Sequence, residues 1–283
     1  MPPSLGSVGS FSLGGQRLAY TVHGEGPRLM ILLHGLLFSQ YMHEALAQAL
    51  AARGLRVVTL DLLGHGESDR PPDKWRYSIP AFGAQVIALL DHLEEDEAVV
   101  MGTSLGANVA LEAVAQAPER FRGMVVEMPV LDHALLGCAI AFTPLMVALT
   151  AGEPAMRLLA RSARLIPRRV LPWQADILLD WVRQDPEPSA AVLQGLFFGR
   201  TAPPREERRE MQAPALVIGH QYDLIHPFSD AGMLVSELPN GRLLEASSLI
   251  ELRVAPRRLT AEIARFAQQC WRPRAARRPA RAS

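Results

Sequence analysis

The sequence predicts an α/β chain, with a mostly parallel central sheet, helices on both of its faces and an inserted helical cap. Three observations carry this expectation. From Val8 to Glu127 short β-rich runs alternate with helical ones, the pattern of parallel strands joined by crossover helices. Between Glu127 and Ala215 the alternation gives way to apolar segments of helical period separated by prolines, and after Ala215 it resumes. Glycine and proline mark the junctions, as at Gly14-Gly15, Gly54 and Pro118.

Val8 to Leu13 and Arg17 to His23, joined through Gly14-Gly15, read as an opening hairpin. Leu29 to Leu33 is a buried strand ending at His34-Gly35. Tyr41 to Ala52 has apolar residues at helical spacing and stops at Arg53-Gly54, where glycine supplies a left-handed cap. Leu55 to Leu60 is the next strand, a Gly/Pro-rich loop runs from Gly64 to Pro72, and Ile79 to Leu93 is a second helix. Ala98 to Gly102 is a strand, Leu105 to Ala117 a helix ended by Pro118, and Gly123 to Glu127 a further central strand. Ala134 to Leu149, Ala155 to Leu165, Gln174 to Arg183 and Ala190 to Phe198 are the cap helices. Ala215 to Gly219 and Arg242 to Glu245 resume the sheet, which Arg257 to Cys270 closes with a helix. Residues 1–129 and 213–271 thus form the core, 130–212 the cap, and 272–283 an arginine-rich tail expected to be disordered.

With 49% hydrophobic and 20% charged residues the chain is neither a disordered nor a collagen-like sequence. Twenty-nine basic residues against 29 acidic ones give zero net charge, so overall charge makes no case for nucleic acid and favours a small neutral partner. Cys138 and Cys270 are too few for a disulfide framework and read as buried free thiols. The run from Ala134 to Leu149 is too short and too interrupted to span a bilayer, so no membrane insertion is expected, and the opening residues carry no leader pattern, which points to the cytoplasm. No spacing suits a metal and no glycine fingerprint suits a nucleotide, so no cofactor is expected; a homodimer is left open.

The chemistry concentrates at Gly102-Thr103-Ser104-Leu105-Gly106, a G-x-S-x-G pattern lying directly between a strand and a helix. A sharp turn there lifts the serine hydroxyl above the sheet, and the helix N-terminus behind it offers N–H groups to a developing oxyanion.

On these residues the chain resembles the α/β-hydrolase superfamily, over a span from Val8 to Phe266. Leu32-Leu33-His34-Gly35-Leu36 is similar to the family's HG turn, which implies that the N–H of Leu36 joins that of Leu105 in an oxyanion hole. Asp61 to Asp69 resembles a D-x-x-G-x-G-x-S loop that marks the fold and is seldom catalytic. Gly219 to Pro227 resembles the loop after the seventh strand, which implies that Asp223 is the acid partner of Ser104.

The likeness fails where the family places its histidine, in the loop after the last strand. Here Leu244 to Glu251 contains none, and all eight histidines precede residue 227. Ser247 and Ser248 are far too weakly basic to replace it. Three accounts follow. A displaced histidine serves as base, with His226 three residues from Asp223 the leading choice, ahead of His34 at the oxyanion turn and His133 at the cap entrance. Alternatively Glu251 supplies a carboxylate near the vacated place. Otherwise the triad is incomplete and the pocket only binds. Glu127, at a strand end, would back a relocated histidine or be satisfied by cap backbone N–H groups.

Cap residues Leu135, Leu136, Ile140, Phe142, Leu145 and Met146, with Trp173, Ile177, Trp181, Phe197 and Phe198, are expected to line an apolar pocket or to pack on one another. The function expected is a serine-dependent hydrolase of acyl-transfer type acting on a small apolar ester, thioester or lactone. The alternative is a non-catalytic small-molecule binding protein on the same scaffold.

Overall fold

Every residue of the strands Leu29–Leu33, Ala98–Thr103 and Ala215–His220 is buried, as expected where a parallel sheet is covered on both faces. They belong to one eight-stranded sheet in a computed structural model that describes residues 6–167, 170–248 and 250–272. The strands are β1 (Ser7–Leu13), β2 (Gln16–His23), β3 (Leu29–Leu33), β4 (Arg56–Leu60), β5 (Ala98–Thr103), β6 (Phe121–Glu127), β7 (Ala215–His220) and β8 (Gly241–Ala246). Their order is β1-β2-β4-β3-β5-β6-β7-β8; β2 pairs antiparallel with β1 and β4, and all other pairs are parallel. Gly14 and Gly15 at φ 58° and 78° make the opening hairpin's turn, a conformation that side chains resist.

Successive side chains of β3 go to opposite faces. Leu29, Ile31 and Leu33 join one core with α2 (Ile79–His92), α3 (Leu105–Gln116) and α9 (Phe228–Glu237). Met30 and Leu32 join the other, with α1 (Glu44–Ala51) and α11 (Arg257–Cys270). Between β6 and β7 lie α4 (Ala134–Thr150), α5 (Glu153–Arg164), α6 (Trp173–Val182), α7 (Pro186–Phe197) and α8 (Arg205–Glu210). No single helix among the described residues is long and apolar enough to cross a membrane. The expected tail lies, beyond Arg272, outside the described residues.

Three helices escape the sequence reading. α8 is Arg-Glu-Glu-Arg-Arg-Glu and has no apolar period; it is held by Arg208, buried against Glu237 at 2.7 Å. α9 is short, and α10 (Glu251–Val254) has one turn.

Two buried polar side chains fasten the segment after β6 to the core. Asp230, on α9, accepts hydrogen bonds from the N–H groups of Leu131, His133 and Ala134 at 2.8, 3.1 and 3.1 Å, which caps the start of α4. Asn108, on α3, donates to the carbonyls of Val130 and Thr201 and accepts from the N–H of Val130.

His34, His43 and His65 are wholly buried, and burial is the main cause that lowers each pKa, to about 3 for His43; His23 is lowered the same way. His220 shifts upward, because contact with Glu127 outweighs its burial. Below about pH 6.5 the unfolded chain therefore takes up more protons than the folded one, so stability falls as pH falls. Urea unfolding followed from about pH 7.5 down to about pH 5 should show a falling midpoint. His43→Gln, which retains a donor for the Leu33 carbonyl 3.0 Å away, should flatten that slope.

Candidate active site

Backbone crossing fixes the central serine. A Cβ on Gly102 would overlap the backbone of Gly106, and one on Gly106 would overlap the Leu33 carbonyl, so β5, α3 and β3 meet where no side chain fits. Between the glycines Ser104 is held at φ 55° and ψ −116°, a strained geometry for a residue with a side chain. Its N–H is pinned to the carbonyl of Glu127 at 2.9 Å. Ser104 sits at the N-cap of α3, so the N–H of Leu105 has no partner in the helix's own ladder. Leu36 follows the His34-Gly35 turn and lines the same cavity as Ser104 and Leu105.

Asp223 organises the loop after β7. One of its carboxylate oxygens accepts from the N–H groups of Ile225 and His226, both at 2.9 Å, and the other accepts from Nδ1 of His226 at 2.9 Å. A single carboxylate thus fixes both the backbone and the ring of His226. With Nδ1–H given to Asp223, Nε2 is left as an acceptor, and the Ser104 Oγ–H donates to it at 2.8 Å. The side chains of His226 and Asp223 are 13% and 8% exposed, sheltered but reachable. Burial alone would raise the Asp223 pKa; the contacts with His226 and the two N–H groups outweigh it and hold the carboxyl below its usual range.

The other sequence candidates stand elsewhere. Both ring nitrogens of His34 are engaged, Nδ1 with the Gly35 carbonyl at 2.8 Å and Nε2 with the Leu62 N–H at 3.1 Å, so it offers no free base. His133 pairs with Asp230 at 3.0 Å. Glu251 accepts from the N–H of Ser247 and pairs with Arg258 at 2.7 Å, which removes it from the vacated position. Asp61 binds the N–H groups of Gln40 and Glu67 at 2.6 and 2.9 Å and holds its own loop.

The chain after β8 turns into α10 and sends Arg253 behind the serine, a role the sequence reading missed. Its guanidinium lies 3.1 Å from a carboxylate oxygen of Glu127 and 3.3 Å from the hydroxyl of Thr103. The Thr103 hydroxyl itself donates to Glu127 at 2.5 Å, and His220 Nε2 faces the other Glu127 oxygen at 3.4 Å. Burial opposes the charge on Glu127, but Arg253, His220 and Thr103 together hold its carboxyl far below the usual range. Glu127 is therefore neither behind His226 nor capped by cap backbone. Nothing in the sequence pairs residues 127 and 253; only the sheet brings them together.

Above Ser104 lies an apolar cavity of about 450 Å³. Leu135, Phe142 and Phe197 of the expected lining face it, and Leu36, Ile79, Cys138, Ala139 and Leu196 join them. Leu145, Met146 and Trp181 instead pack against Leu37, Leu149 and Leu193, and Ile177 is buried. Leu136, Ile140 and Phe198 are turned to solvent, because the register of α4 gives the cavity its Leu135, Cys138 and Phe142 side. The side chain of Trp173 lies outside the described residues. Cys138 is half-buried in the lining rather than in the core.

A family model described as the alpha/beta hydrolase fold matches residues 28–187, and the chain belongs to this family. It is 31% identical over 229 residues to the dihydrolipoyllysine-residue acetyltransferase component of the acetoin cleaving system of Pseudomonas putida, covering 77% of this chain and 58% of that protein. It is 33% identical over 114 residues to epoxide hydrolase B of Mycobacterium tuberculosis, covering 40% of this chain and 32% of the relative. An uncharacterized Mycobacterium tuberculosis protein matches at 34% over 105 residues, 37% of this chain and 30% of that one. The chain thus spans between about a third and about three fifths of the length of these three relatives. Among solved structures, the enol-lactonase of Burkholderia xenovorans superposes with a TM-score of 0.75 at 22% identity, covering 92% of this chain and all 100% of the other. The esterase RhEst1 of a Rhodococcus superposes at 0.73 and 20% identity, covering 93% and 99%.

Cys138 offers a test of the cavity. Burial first, then the charges of Asp230 and Asp223, push its thiol up to about 11, so at about pH 8 roughly a thousandth is thiolate. Iodoacetamide should label it slowly at that pH and about tenfold faster for each unit of pH increase below its pKa. An apolar ligand in the cavity should protect it, with Cys138→Ser identifying the signal from Cys270.

Proposed function

We propose that the protein is a hydrolase that opens small apolar esters, thioesters or lactones through Ser104, with His226 as general base and Asp223 as the carboxylate that orients it. The observation that carries this reading is the unbroken hydrogen-bonded chain from Ser104 Oγ through both nitrogens of His226 to Asp223. His226 stands in for the histidine absent after β8.

In the first half-reaction His226 Nε2 takes the proton of Ser104 as Oγ attacks the substrate carbonyl. The resulting oxyanion lies toward the N–H groups of Leu36 and Leu105, at the positive end of α3. The protonated imidazole then gives its proton to the leaving oxygen or sulfur, and an acyl-serine remains. Water, deprotonated by the same nitrogen, releases the acid. Each step either passes a proton through His226 or carries the substrate's acyl group by way of Ser104 to water. The apolar cavity favours a neutral acyl group. The relative named as an epoxide hydrolase is in keeping with hydrolysis as the general class, and the structures named as a lactonase and an esterase share the fold.

Treatment with a fluorophosphonate, followed by intact mass, should add one label per chain in the native protein and none in Ser104→Ala. His226→Ala should slow labelling by roughly a thousandfold or more, and Asp223→Asn by somewhat less. An unlabelled but folded native protein would end the hydrolase reading and leave a binding pocket. Labelling unaffected by His226→Ala would displace His226 as the base.

A further inference from the structure

Helix α4 is apolar on nearly every side, yet of its residues only Ala134 and Leu149 are buried. A helix of that composition ordinarily lies inside a core or against lipid. One of its faces, with Leu135, Cys138 and Phe142, is accounted for by the cavity. Another, Leu136, Ile140 and Val147, is 72%, 68% and 54% exposed and runs the length of the helix at helical spacing. After a 94° bend the pattern continues with Leu158 on α5, 67% exposed, and Leu165 just past its end, 83% exposed.

The exposed apolar stripe of α5 is flanked by Arg157, Arg161 and Arg164 at i, i+4 and i+7. From Ala134 to Pro172 the sequence holds five arginines and one acidic residue, an excess that, in a chain with zero net charge, recurs in the tail from Arg272 to Ser283 with five arginines and no acidic residue. Arg157 pairs with the half-buried Glu153 and Arg164 with Asp185 and the Arg183 carbonyl, whereas Arg161 pairs with none among the described residues. Apolar side chains bordered by arginine suit the interface of a bilayer with negatively charged headgroups. A second copy is the poorer occupant, because a twofold contact would bring the same arginines together.

We propose that the outer face of α4 and α5 adsorbs to the surface of an anionic lipid bilayer, with no helix spanning it. Cavity and membrane face then share α4, so an apolar substrate dissolved in lipid has a short path to Ser104. The lipid contact is independent of the chemistry at Ser104; only the delivery of substrate rests on that reading.

Flotation of the full chain with vesicles tests the contact without turnover. Vesicles of phosphatidylcholine and phosphatidylglycerol should carry the protein upward, phosphatidylcholine alone should carry far less, and added salt should weaken the first. The double substitution Ile140→Ser with Leu158→Ser, at exposed positions, should weaken binding at least about tenfold while thermal unfolding stays unchanged. Arg161→Glu should weaken it about fivefold, as expected for loss of about one kcal/mol per surface arginine, or more. No flotation with either vesicle overturns the proposal. So does flotation unaffected by the double substitution but lost on removing residues 273–283, which would place the contact on the tail. A stable dimer in sedimentation that Ile140→Asp dissociates, without vesicle binding, would make this face a subunit interface instead. Fluorophosphonate labelling of the same variants should match the native protein, which separates failure at the membrane face from failure at the serine.

Discussion

The close crossing of β5, α3 and β3 is the constraint on which the rest of the site depends. Gly102 and Gly106 let three backbone segments approach within a distance no Cβ allows, and the turn between them forces Ser104 into its strained conformation. Strain of that kind persists only where the surroundings over-determine it. Here the surroundings are the buried strands on either side and the bond from the Ser104 N–H to the Glu127 carbonyl. With the serine fixed to the sheet, the Leu36 turn and the β7 loop need only end at the same strand ends to meet it.

The β7 loop meets it by unusually local means. A carboxylate three residues before a histidine can close a turn on that residue's N–H and still reach its ring, and Asp223 does both. The orientation of His226 therefore depends on one turn rather than on the meeting of two separate loops. The region after β8 is free to do something else. It supplies Arg253 to neutralise a buried Glu127, which without the guanidinium would be a charge enclosed among Thr103, His220 and the sheet. Arg253 in this sense occupies the quarter from which the family's histidine would come, and the ion cluster supports the serine turn from behind.

How much of this was legible in the sequence follows from what each feature depends on. The strands and longer helices declare themselves by period, and G-x-S-x-G at a strand-helix junction fixes the turn because the chemistry and the backbone requirement coincide there. The separation of Asp223 from His226 is local and visible, and it alone put His226 ahead of His34 and His133. What was not visible is contact between distant residues. That Glu251 is taken by Arg258, that His133 belongs to Asp230, and that Glu127 faces Arg253 are consequences of sheet order and helix packing. Short helices such as α8 and α10 lack enough residues for a period. The helices between β6 and β7 were legible as helix but not in orientation, because an all-apolar helix such as α4 gives no sign of which side turns inward.

That ambiguity has a physical resolution in the way α4 is tied down. Asp230 and Asn108 hold the chain at the start of α4 and at the loop after α7, with hydrogen bonds to backbone rather than through apolar packing. Anchored at its N-terminus, α4 has its rotation set by those bonds and by Gly137, whose missing side chain leaves room for the Leu224 carbonyl of the loop that carries His226. A Cβ there would meet that carbonyl at 2.8 Å, so the helix approaches the loop through its backbone. The rotation that permits this approach also puts Cys138 and Phe142 over Ser104 and leaves Leu136 and Ile140 outside. The exposed apolar stripe is thus a geometric consequence of closing the cavity with an all-apolar helix. No element among the described residues covers it.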